Sequence, residues 1–234
     1  MRLLFTSTPM VGHFYPMLPL IRAAEAEGHE VVVATGPDLA TEVERLAIPA
    51  WPVGPTIAEA FAAWHSGQGA PAENHLEALK RDSIAIFIGP GIARAKELLP
   101  LAEAWRPDIV VHELGEGAGL EVGEALGALS VTHTYGPMQA YEEEILALAC
   151  ELMAAELGSP NRWAAAMKAP RVDIWPPSLQ VPGTIPSPHR LPIRPGQPTT
   201  AGEDPPGLSQ LPFERSIYAT LALSSPVPSC SAPC

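Results

Sequence analysis

The first 36 residues, MRLLFTSTPMVGHFYPMLPLIRAAEAEGHEVVVATG (Met1–Gly36), hold two apolar runs separated by a polar loop and a helical pattern. Arg2 to Thr6 reads as a buried strand, Met17 to Glu27 as a helix stopped at Gly28, and Glu30 to Ala34 as a second strand rich in valine. Strands that are apolar on both faces, alternating with helices, mark a parallel sheet covered by helices. The fold class that follows is α/β, a Rossmann-like parallel sheet with flanking helices.

Outward from this stretch the alternation continues. The turn Gly36-Pro37-Asp38 leads to a helix running to about Leu46, with Asp38 as its expected cap, and Ala50 to Val53 reads as a third strand. From Thr56 to about Trp105 two or three helical segments are expected, broken at Ser66-Gly67-Gln68-Gly69 and again at Gly89-Pro90-Gly91. Asp108 to His112 then predicts a strand, Gly119 to Leu126 a helix closed by Gly127, and Leu129 to His133 another strand. Helical composition resumes from Met138 to about Met167, with Ile145, Leu148, Leu152 and Met153 as the expected buried face.

After Ala169 the texture changes, because 15 of the 28 prolines fall between Pro170 and Pro233. That density excludes helix and central strand over most of the segment. The expected organisation is a domain over 1–168, a Pro-rich segment and interdomain linker over 169–215, and over 216–234 one strand, Ser216 to Leu221, with an irregular tail.

A net charge of -12 argues against nucleic acid as a partner. The three cysteines, Cys150, Cys230 and Cys234, form neither a disulfide framework nor a zinc spacing, and the N-terminal apolar run is too short for a signal peptide. The expectation is a cytoplasmic protein without stable membrane insertion and without a metal site.

In open parallel sheets ligands bind beyond the carboxyl ends of the strands, which singles out the loops after residues 6, 34, 112 and 133. The first of these, Ser7 to Pro16, offers Thr8, Gly12 and Phe14 beside one titratable imidazole, His13. His112 and Glu113 end a later strand, and a carboxylate there can orient His13 as a general base for a poorly nucleophilic hydroxyl. Glu116, one short loop further on, is a rival to Glu113. His65 and His75 flank the first break of the 56–105 region.

The stretch Gly12-His13-Phe14-Tyr15-Pro16-Met17-Leu18-Pro19-Leu20, with Gly28-His29-Glu30-Val31, resembles the opening of GT-B fold glycosyltransferases that act on macrolides, flavonoids and sterols. Arg106 to Glu113, Asp173-Ile174-Trp175-Pro176-Pro177-Ser178-Leu179-Gln180 and Leu211-Pro212-Phe213-Glu214-Arg215 resemble actinobacterial members of that family. The resemblance implies the acceptor half of a hexosyltransferase. It assigns His13 as base and Glu113, where many relatives have Asp, as its orienting acid. Thr8, Gly12, Phe14, His65, His112, Glu116 and His133 become candidate acceptor-binding residues for a small lipophilic molecule.

The family's donor is a nucleotide sugar, with no further cofactor. Its His-x-Gly-Gly-like diphosphate loop is not found in the sequence, and resemblance ends after Leu221. The expectation is therefore a chain that stops before the donor domain, acting with a separate donor domain. The alternative is a non-catalytic acceptor-binding or partner module.

Overall fold

The computed structural model describes residues 1–67, 72–137, 141–181 and 189–195. The described residues all belong to one compact unit, Met1–Pro198. The expected strand Ser216 to Leu221, the linker beyond Pro195 and the tail with Cys230 and Cys234 lie outside the described residues.

In chain order the elements are β1 (Arg2–Thr6), α1 (Val11–Phe14), α2 (Leu18–Ala26), β2 (Glu30–Thr35), α3 (Pro37–Arg45) and β3 (Ala50–Pro52). There follow α4 (Ile57–Ser66), α5 (His75–Ser83), α6 (Gly89–Trp105), β4 (Ile109–Glu113), α7 (Gly117–Leu126) and β5 (Leu129–His133). The last are α8 (Glu142–Leu157), α9 (Trp163–Lys168), β6 (Arg171–Asp173) and β7 (Arg190–Pro192). Every strand pairing is parallel, in the order β3-β2-β1-β4-β5-β6-β7. The chain winds outward from β1 to β3, then returns to place β4 on the other side of β1. The junction of β1 and β4 is thus the switch point at which such sheets bind ligands.

The apolar strands are apolar because both faces are covered. Leu3 and Phe5 of β1 pack with Phe14, Met17, Ile21 and Val43 on one face. Leu4, between them in sequence, packs with Val32, Leu98, Val110 and Val122 on the other. Each such side chain removed from water contributes about 1.5–3 kcal/mol, so the two layers hold the sheet from both sides. Gly127 adopts φ 67° where α7 turns into β5, a left-handed conformation open to glycine at no steric cost.

Three expectations are corrected. Gly89-Pro90-Gly91 breaks nothing: α5 runs through a π-helical turn, Ile84–Ile88, directly into α6. Gly89 donates to the carbonyl of Ile84, five residues back, and this wider turn accommodates Pro90, which has no N–H to give. Asp38 does not cap α3, whose N-cap is Gly36; its carboxylate accepts from the Ile57 N–H at 3.0 Å instead. The buried positions of α8 are Cys150 and Met153, with Ile145, Leu148 and Leu152 half-buried. The sheet also continues past residue 168, since β6 and β7 come from the Pro-rich segment, with Pro192 at the end of the edge strand. Among the described residues no helix is long and apolar enough to cross a membrane.

Candidate active site at the β1–β4 switch point

The loop after β1 is held from below. Phe14 is fully buried in the core, with Met17 beside it, and this anchors the single turn α1 that carries His13. Backbone N–H groups of His13 and Phe14 both donate to the Met10 carbonyl, at 3.0 and 3.1 Å. Phe14, expected among acceptor contacts, is therefore a core residue: the anchoring of the loop requires its ring inside. Gly12 faces open space.

Across the switch point Glu113 ends β4 with no side-chain exposure, and its Oε1 lies 3.1 Å from Nδ1 of His13, which is 11% exposed. The distance is that of a charge-assisted pair, but the N–H direction is bent away from the line of a good hydrogen bond. Such bends are common in catalytic pairs before substrate is bound. The carboxylate also accepts from the Thr8 N–H at 3.2 Å and the Gly115 N–H at 2.6 Å. Burial, the largest single influence, pushes the Glu113 carboxyl up; His13 and the two backbone donors together outweigh it and hold the group below its ordinary value. The buried Glu113 is therefore an anion.

Glu116 is engaged elsewhere. It caps α7 through the Ala118 and Gly119 N–H groups, at 3.0 and 2.9 Å, and pairs with Arg94 at 3.0 Å. Of the two rival carboxylates, Glu113 is the one in contact with His13.

Beside this pair lies a cavity of about 180 Å³. Its walls are mostly apolar, among them Leu79, Ile88, Leu114, Leu120, Ile145 and Leu146, with His112, Glu116, Thr132, Glu142 and Arg171 as polar contributors. Phe87 and Tyr135 line it too, and both also reach His13, with ring centroids 5.6 and 4.0 Å from the imidazole. Burial holds the His112 imidazole below its ordinary value and pushes the Tyr135 phenol up, so both are neutral in this cleft.

Sequence reasoning thus brought His13, Glu113, Thr8, His112 and Glu116 to one end of the sheet, and the structure places them there. His133 is fully buried beside Glu113 in register, its Nδ1 2.8 Å from the Thr134 carbonyl and its Nε2 without a hydrogen-bond partner. It is not among the cavity-lining residues. His65 is exposed on the last turn of α4, its ring tilted 59° against that of Trp64, and is not among the cavity-lining residues. Tyr135, Phe87 and Arg171 were missed. Tyr135 could have been found, since it lies in the loop after β5 that the switch-point rule already marks. Phe87, inside a continuous helix, carries no such local signal.

No protein-family model matches the chain. It is 32% identical over 184 residues to an L-demethylnoviosyl transferase of Streptomyces niveus, covering 77% of this chain and 46% of that protein. The chain is homologous to natural-product glycosyltransferases. It spans less than half the length of that curated relative. Among solved structures it resembles the glycosyltransferase SnogD of Streptomyces nogalater, with a TM-score of 0.69 and 23% identity, over 92% of this chain and 56% of that one. The glycosyltransferase VinC, in complex with DTDP, matches with a TM-score of 0.62 and 22% identity, over 80% of this chain and 52% of that one. The fold is the Rossmann-like unit of the GT-B glycosyltransferases.

Proposed function

We propose that this chain is the acceptor side of a glycosyltransferase that moves a hexosyl group from a nucleotide sugar to a hydroxyl of a small lipophilic acceptor. The observation that carries the reading is the His13 and Glu113 pair at the switch point, beside an apolar cavity. An acceptor in that cavity presents its hydroxyl to Nε2 of His13, the ring nitrogen turned from Glu113. The imidazole takes the proton as the acceptor oxygen attacks the anomeric carbon, and the bond from that carbon to the diphosphate breaks with inversion. Glu113, already anionic, stabilises the imidazolium so formed and keeps Nδ1 protonated throughout.

The leaving diphosphate needs hydrogen-bond donors for its charge, the role of a donor-binding domain. That VinC holds DTDP supports a thymidine diphosphate sugar as the donor. Relatives named for transfer to 10-deoxymethynolide, tylactone and aklavinone favour a natural-product aglycone as the acceptor.

The test combines the full chain with a TDP-sugar panel, hydroxylated polycyclic aglycones and a donor domain supplied in trans, with products read by mass spectrometry. Transfer should appear and fall by about 100-fold or more in His13→Ala. Transfer that survives His13→Ala removes His13 from the mechanism.

A further inference from the structure

The base needs more than a carboxylate to hold it, because an imidazole paired through one nitrogen can still turn about its own bonds. The contact between Nδ1 and Glu113 is off the line of a good hydrogen bond, which leaves other neighbours a part in setting the ring plane. What lies against the ring is aromatic. Tyr135 is the nearer, its centroid 4.0 Å from that of His13 with the planes 31° apart; Phe87 stands at 5.6 Å and 32°.

Tyr135 is itself clamped from both flanks. On one side, the Thr134 hydroxyl donates to Asp173 at 3.3 Å and accepts from the Ile174 N–H at 3.2 Å. On the other, Gly136 lies beside the Trp175 indole, where a Cβ would be in ordinary contact with its Nε1 at 3.9 Å. Asp173 in turn gathers the Trp175 N–H, the Gln180 amide and the Arg190 guanidinium, at 2.9, 2.9 and 2.6 Å. A motif that the sequence singled out, Asp173 to Gln180, thereby buttresses the loop that carries Tyr135.

We infer that Tyr135 is a positioning residue for His13, holding the imidazole in the orientation that turns Nδ1 to Glu113. Its ring face does this by close packing; the phenol oxygen is not required. The inference rests on the proposed role of His13 for its significance, but its measurement does not.

The experiment uses the full chain labelled with 15N-histidine, the His13 signals being assigned by their loss in His13→Gln. Spectra are followed up a pH series to the plateau where the ring nitrogens stop shifting, and there the two resonances report the tautomer. In the wild type they should be well separated, as for one dominant Nδ1–H form. Tyr135→Phe keeps the ring and should keep the separation.

Tyr135→Leu fills the space without an aromatic face, and there the two resonances should move toward one another as the tautomers mix. A thermal melt confirms that the variant is folded, and Tyr135→Ala is a more severe version of the same change. Wild-type separation in Tyr135→Leu overturns the inference. Should sugar transfer survive His13→Ala, the proposed function fails while this result stands; the converse holds equally.

Discussion

Arg94 and Glu116 form an ion pair inside the protein, Nη1 to Oε1 at 3.0 Å, with 1% and 0% of their side chains exposed. Two carboxylate bonds to the start of α7 complete the coordination of Glu116. Replacing Arg94 with Met leaves that carboxylate buried without its counter-charge, which costs about 3–5 kcal/mol. Urea unfolding of Arg94→Met should show this loss, and the double variant Arg94→Met/Glu116→Gln should recover part of it. A single-variant loss below about 1 kcal/mol would show that the pair contributes nothing beyond the helix cap.

Gly119 lets α7 lie directly on β1 and β4. A Cβ at this position would collide with the Thr6 hydroxyl and come within 2.6 Å of the His112 Cβ. Alanine ordinarily favours a helix over glycine by about 1 kcal/mol, but here the overlap is with another strand rather than a flexible side-chain end. Gly119→Ala should therefore destabilise the protein by about 1–3 kcal/mol in chemical denaturation. A variant as stable as the wild type would mean that α7 shifts freely on the sheet.

Burial pushes the His133 imidazole down to about 4 from an ordinary 6.5. A base whose folded value is depressed contributes stability that is present above its unfolded value and is lost as the pH falls toward the folded one. Between pH 7 and 4.5 the wild type should lose about 2–3 kcal/mol from this residue. His133→Asn has no titrating ring and should lose that much less over the same interval. Equal losses in the two proteins, measured by urea unfolding at each pH, would contradict the assignment.

Glu113 has the opposite chemistry and the same sign. Its carboxyl is held below the ordinary 4.5, so the stability it contributes is full above that value and disappears as the pH falls through the lower folded one. Thermal melts of wild type and Glu113→Gln should differ at pH 7 and converge as the pH falls through the lower folded value. Because the amide also turns a donor toward either the Gly115 or the Thr8 N–H, a cost of about 1–3 kcal/mol is expected at neutral pH. Sugar transfer in the reconstituted assay should fall at the same time, by about 100-fold.

Most of the sheet was legible because its strands are apolar on both faces. Arg2 to Thr6 and Leu129 to His133 begin and end where their composition says, and β2 and β4 differ by a residue at their ends. The candidate pair was legible because topology, not contact, selects the loops at a switch point. What sequence could not show is what depends on the third dimension alone. Nothing in the local pattern around Gly89-Pro90-Gly91 reveals that a π-turn absorbs the proline, nor that this turn aims Phe87 at His13. Phe14 reads like a loop residue and is core, because the short turn α1 rolls it inward. The strands β6 and β7 are three residues each, too short for periodicity, and exist because Val172 and its neighbours find a sheet edge already formed.

The Thr8 N–H and the Glu113 carboxylate that receives it stand 105 positions apart in the chain. The loop that carries His13 follows β1, whereas its acid ends β4, after β2, β3 and the helices α2 to α6 have intervened. Contacts of such long range form late, since the intervening chain must be ordered first. The pairing of His13 with Glu113 is therefore complete only when β1 and β4, and with them the two halves of the sheet, have joined.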